Sequence, residues 1–128
     1  MAKANEDAIR AVFTAWGQSL EAGAAAMREH FADDCVWEQT SLPTTTGPEE
    51  AAQLFLSMAG MGFSAIEVEY RNVVASDDVV CTERLDHILR PDRSRAGSFP
   101  VVGITEFRDG KISSWREYFD SANLGQLG

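Results

Sequence analysis

The chain divides into two halves by the spacing of its apolar residues. From Glu6 onward, Ala8, Ile9, Val12, Phe13, Trp16 and Leu20 recur at three- and four-residue intervals. That period predicts an amphipathic helix, with Asn5 as its N-cap and Gly23 as its end. A second, short helix is expected from Ala24 to His30, stopping before Asp33-Asp34. Cys35 to Thr40 reads as a short strand, and Ser41 to Gly47 as a loop. Pro48-Glu49-Glu50 then opens a third helix, because Pro suits the first turn and the acids suit its positive dipole end. Its apolar face carries Ala51, Leu54, Phe55 and Met58, and Gly60 and Gly62 close it.

The second half changes to a period of two. Phe63 to Val74 alternates through Ile66, Val68 and Tyr70, with Glu67 and Glu69 facing the other way. Ser76-Asp77-Asp78 reads as a turn, Val79 to Leu89 as a long strand, and Arg90 to Gly97 as a polar loop. Phe99 to Phe107 and Lys111 to Phe119 are two further strands, joined at the hairpin signal Asp109-Gly110. Asp120 ends the last strand, ahead of a polar tail. Helices followed by antiparallel strands predict an α+β fold over residues 1–128 as one domain, with the helices on one face of the sheet. A sheet curled around helices leaves a cone with an open mouth, and pockets favour such mouths.

Composition narrows the class without naming it. Of 128 residues, 45% are hydrophobic and 24% charged, the values of an ordinary globular domain. The formal net charge of −9 comes without any Lys/Arg stripe, which argues against nucleic acid and against anionic membrane surfaces as partners. Cys35 and Cys81 fit no metal spacing, and each lies in apolar, strand-like surroundings. The N-terminus lacks the apolar core of a signal peptide, and no apolar run approaches the length of a membrane-spanning helix. A soluble, cytoplasmic protein is the expectation.

The chemistry concentrates in Cys81-Thr82-Glu83-Arg84-Leu85-Asp86-His87. Strand alternation puts Arg84 and Asp86 on one face with Val80, Thr82 and Ile88. Charges on such a face are costly to bury unpaired. Asp120, sharing a face with Tyr118, is the expected third member: with the last strand near Val79–Leu89, Asp120 and Asp86 flank Arg84. Trp115, Glu117 and Phe119 then share the outer face. Burial raises a carboxyl pKa and a neighbouring guanidinium lowers it, so two carboxylates around one Arg can divide into proton donor and base. Leu54 and Met58, one helical turn apart, are candidate pocket residues together with Ile88, Val102 and Ile104, although each also suits a plain core. His30 and His87 lack metal-ligand spacing, so no metal site is expected. Nucleophile-elbow, P-loop and dinucleotide motifs are absent from the sequence.

Glu83-Arg84-Leu85-Asp86, Pro100-Val101-Val102-Gly103-Ile104, Phe107-Arg108-Asp109-Gly110-Lys111-Ile112 and Trp115-Arg116-Glu117-Tyr118-Phe119-Asp120 together resemble the limonene-1,2-epoxide hydrolases, of the NTF2-like (ketosteroid-isomerase-like, SnoaL-like) superfamily. The resemblance implies a strongly curved antiparallel or mixed sheet wrapped around three N-terminal helices. It implies one-step opening of a small, largely apolar epoxide to a vicinal diol, with Asp120 as base for water, Asp86 as acid and Arg84 bridging them. It calls for no metal, cofactor or covalent intermediate. The family holds its water with a Tyr and an Asn two residues apart; the matching positions here are Trp37 and Gln39. Trp offers a donor and no acceptor, so an isomerase, dehydratase or lyase built on the same carboxylates stays open. A non-catalytic binding or dimerisation domain stays open too, and a homodimer through the outer sheet face is expected in any of these cases.

Overall fold

A computed structural model describes residues 2–127. Three helices, α1 (Ala2–Gln18), α2 (Leu20–His30) and α3 (Pro48–Leu56), precede most of the sheet. The strands are β1 (Phe31–Gln39), β2 (Thr45–Thr46), β3 (Ala65–Ser76), β4 (Val79–Leu89), β5 (Arg95–Arg108) and β6 (Lys111–Tyr118). They form one sheet in the order β2-β1-β6-β5-β4-β3, antiparallel throughout except for the parallel pair β1–β6. The sheet curves around the helices as the α+β cone anticipated from the sequence.

The apolar stripe of α1 is buried through Ile9, Val12, Phe13 and Trp16, as its spacing requires. Its boundaries differ from expectation. Asn5 is no cap: it lies inside the helix, buried, and donates through Nδ2 to the carbonyl of Asp77 at 3.2 Å, tying α1 to the β3–β4 turn. The break to α2 falls at Ser19, whose hydroxyl accepts the N–H of Ala22 at 3.0 Å. Gly23 ends nothing; it lies within α2, where a Cβ would stand 2.4 Å from the ring of Phe55. Its bareness lets α2 and α3 approach closely. Trp16 stacks on Phe55 and Trp115 at ring separations of 4.9 and 5.3 Å, and Phe13 meets Trp115 edge-on at 5.5 Å. This aromatic cluster locks the helices to the concave face of the sheet.

The Asp109-Gly110 turn has φ of 53° and 80°, the two left-handed residues that a tight hairpin needs. Just beyond it, Phe107 pairs with Ile112 while Glu106 pairs with Ser114, leaving Ser113 as the extra residue of a β-bulge. The bulge inverts the alternation of β6, so Ile112 and Trp115, three residues apart, are both buried. Two segments expected as irregular are ordered. β5 begins at Arg95, inside the expected loop, and the expected polar tail forms a 3-10 helix over Ser121–Gln126. Both cysteines are free, and no helix among the described residues is long and apolar enough to cross a membrane.

Candidate active site

The concave face of β4 carries Thr82, Arg84, Asp86 and Ile88, all buried, as alternation from Val80 predicts. Arg84 is 0% exposed, so every polar hydrogen it carries has to find a partner inside the protein. Nε donates to Asp86 Oδ1 at 3.0 Å and Nη2 to Asp86 Oδ2 at 2.9 Å, a bidentate fork. Nη2 also donates to Glu117 Oε2, and Nη1 to the hydroxyl of Thr82 at 3.1 Å. The guanidinium lies over the ring of Phe13, 4.4 Å from its centroid. Glu117, itself buried, accepts the indole N–H of Trp37 on Oε1 at 3.2 Å. The parallel pairing of β1 with β6 sets Trp37 beside Trp115 and Gln39 beside Glu117.

Two carboxylates thus share one guanidinium away from water. Burial pushes the Glu117 carboxyl above its ordinary value, and the charge of Asp86 adds to that push. The Arg84 charge and the hydrogen bonds from Arg84 and Trp37 pull the other way without cancelling it. For Arg84, burial disfavours the cation, but the charges of Glu117 and Asp86 and its hydrogen bonds to both together more than offset it, so it stays protonated. A fixed cation holds the two carboxylates together, and burial favours a proton on the raised Glu117 carboxyl.

The two carboxylates, Asp86 and Glu117, close the polar end of a cavity of about 410 Å³. Its remaining walls are almost wholly apolar: Leu54, Phe55, Met58 and Met61 from the α3 region, Ile66, Ile88, Phe99 and Val101 from the sheet, and Phe119, Leu124 and Leu127 from the chain's end. Of the residues read from the sequence, Arg84 and Asp86 meet as expected, and Trp37, Gln39, Leu54, Met58 and Ile88 line the cavity. Three are displaced. Asp120 is exposed and lies away from Arg84; its Oδ1 accepts the N–H of Ala122 at 3.0 Å and caps the Ser121–Gln126 turn. The position expected of it beside Arg84 is filled by Glu117, for which the sequence predicts the outer face with Trp115. The bulge at Ser113 is the cause, since it turns both residues inward. Trp115 was the signal for this: its size suits the interior, and two residues on from it is Glu117. Val102 and Ile104 face outward as well, Val102 45% exposed, because Val101 and Gly103 take the concave positions of β5. Among the described residues, no cluster of His, Cys, Asp and Glu is placed to hold a metal ion.

A cone of this topology defines an NTF2-like protein, and this one encloses a buried carboxylate–guanidinium–carboxylate set. The chain belongs to the limonene-1,2-epoxide hydrolase catalytic-domain family, whose sequence profile matches residues 4–126. It is 38% identical over 90 residues to the epoxide hydrolase EphG of Mycobacterium tuberculosis, a match covering 69% of this chain and 56% of the relative. It therefore spans little more than half the length of that curated relative. Among solved structures, an LEH-like epoxide hydrolase of M. tuberculosis superposes with a TM-score of 0.79 at 26% identity, over 98% of this chain and 90% of the other. A SnoaL-like polyketide cyclase from Jannaschia superposes with a TM-score of 0.80 at 18% identity, over 99% and 92%, a likeness of fold alone.

Proposed function

We propose that the protein is a cofactor-independent epoxide hydrolase that opens a small, largely apolar epoxide to a vicinal diol in one step. The observation that carries this reading is the sharing of the buried Arg84 between Asp86 and Glu117 at the polar end of an apolar cavity. Family membership and the likeness to EphG support it.

An epoxide is strained, yet its oxygen leaves poorly as an alkoxide, and water is a weak nucleophile. An acid at the oxygen and a base at the water address both barriers, each typically worth about 10²–10⁴-fold. The step requires the state in which Asp86 carries the proton and Glu117 is ionised: in it Glu117 takes a proton from water as the water oxygen attacks a ring carbon. The C–O bond breaks, and Asp86 delivers its proton to the departing oxygen. The pair ends with the proton moved from Asp86 to Glu117, and one transfer back resets it. Arg84 stays charged and holds both carboxylates in place. In this reading Gln39 holds the water through its amide, supported by its position beside Glu117 on the neighbouring strand and in the cavity wall.

The test is turnover of cyclic and aryl epoxides in water carrying heavy oxygen, with the product mass read out. Diol bearing one labelled oxygen, lost in Asp86→Asn, is the expected result. Labelled diol formed at an undiminished rate by that variant sinks the assignment. A second reading rests on Trp37, whose indole N–H is already engaged by Glu117 and which offers no acceptor to a water. In that reading the same carboxylates move a substrate proton in an isomerisation or elimination, and no heavy oxygen enters the product.

A further inference from the structure

The stretch beyond β6 folds back over the sheet. Asp120 anchors it twice, Oδ1 accepting the N–H of Ala122 at 3.0 Å and its carbonyl the N–H of Asn123 at 3.0 Å. Leu124 and Leu127 of this stretch line the cavity. Leu127 is seated in a notch prepared by Gly97 on β5, where an added Cβ would stand 2.6 Å from Leu127 Cδ2. Gly97 pairs with Ile88, and Phe99 with Asp86. The Leu127 seat is therefore one concave-face step from the acid, about 7 Å along the strands. Ile88, beside Gly97, and Phe99, beside Asp86, supply apolar wall along this step.

We propose that Leu127, seated on Gly97, and Leu124 form the wall that limits how long a hydrocarbon body the cavity accepts beyond its reacting end. The occupant this fits is a molecule with one compact oxygenated end at Asp86 and Glu117 and an unbranched or flexible apolar body running along Ile88 toward Leu127. The proposal takes the cavity as the substrate site of the reading above. It does not depend on which reaction follows. Because the wall consists of two side chains on one short turn, its reach can change without disturbing the acid pair or the sheet.

Trp16 and Trp37 line the cavity, so their fluorescence reports occupancy without turnover. The experiment titrates the protein with straight-chain 1,2-diols from hexane-1,2-diol to hexadecane-1,2-diol. Affinity should rise about fourfold per methylene, the equivalent of about 0.8 kcal/mol, up to a break where the wall is met. Leu127→Ala should move that break outward by about three methylenes, the carbons it removes, and Leu127→Phe should move it inward. Leu124→Ala gives an independent outward shift should either Leu127 variant fold poorly. A break at the same chain length in all folded variants overturns the proposal. The outcome is separable from the hydrolase reading: a moving break with no epoxide opened keeps the wall and loses the hydrolase. A fixed break with labelled diol produced does the reverse.

Discussion

Gly103 leaves empty the space that the guanidinium of Arg84 occupies: a Cβ at position 103 would stand 2.5 Å from Arg84 Nη1 and 3.1 Å from the Thr82 hydroxyl. Gly103 pairs with Thr82 on one side and Glu117 on the other. Arg84 on β4 reaches Glu117 on β6 across the intervening strand, and a bare backbone at this crossing is what lets it through.

Gly103→Ala should therefore shift the guanidinium and part it from Glu117. Overpacking of this kind costs about 1–3 kcal/mol of stability. Displacing catalytic groups by about 1 Å can cost on the order of 100-fold in rate. Epoxide turnover alongside urea unfolding checks both. A variant with wild-type kcat would show that the crossing tolerates a methyl group and that Arg84 has room to spare.

Replacing Glu117 and replacing Asp120 should give opposite results. Glu117→Gln removes the base and should lower kcat by about 10²–10⁴-fold. Asp120→Ala removes a cap of the stretch that carries Leu124 and Leu127, worth about 1 kcal/mol, and should act on KM while leaving kcat within severalfold. Steady-state kinetics on the two variants decides between them, and a collapse of kcat in Asp120→Ala with Glu117→Gln active would return the base to Asp120.

The contrast between those two residues also shows what the sequence discloses. Arg84 and Asp86 were legible because β4 alternates without interruption from Val80 to Ile88, so parity alone set them on one face. Leu54 and Met58 were legible from helical spacing. Glu117, Val101 and Gly103 were not. The inward face of β6 depends on one extra residue, Ser113, whose bulge no local composition marks, and an error of one position exchanges every inward side chain for its neighbour. The register of β5 carries the same sensitivity, which is why the sequence alone predicts Val102 and Ile104, rather than Val101 and Gly103, on the inward face. Leu124 and Leu127 were missed for another reason. The stretch holding them is polar overall, and its fold depends on a tertiary seat at Gly97 that has no signature nearby in the chain.

Glu117 should also leave a mark on stability. Its carboxyl is raised in the folded protein, chiefly by burial, so the folded state binds that proton more tightly than the unfolded chain does. The favourable contribution is complete below the ordinary carboxyl value of 4.5 and is lost as pH rises through the raised one. Urea unfolding of wild type and Glu117→Gln at pH 5 and at pH 8 isolates it. The wild type should lose stability relative to the variant at the higher pH. A difference that grows in the opposite sense would mean that Arg84 dominates and the carboxyl is lowered.

Trp37 offers the sharpest test of how Glu117 is tuned. Its indole N–H donates to Glu117 Oε1 at 3.2 Å and favours the ionised carboxylate. Trp37→Phe keeps an aromatic ring against Trp115, 5.7 Å away in the wild type, and removes the donor. The Glu117 carboxyl should then rise further, because one of the three influences opposing burial has gone. If Glu117 is the base, the acid limb of kcat/KM, which reports the free enzyme, should move to higher pH, with the plateau less affected than the limb. A limb that stays in place while the plateau falls would mean that the indole acts on substrate or water rather than on the carboxylate. An acid limb that stays in place while the alkaline limb moves to higher pH would mean that Glu117 works as the acid, and the roles of the two carboxylates would have to be exchanged.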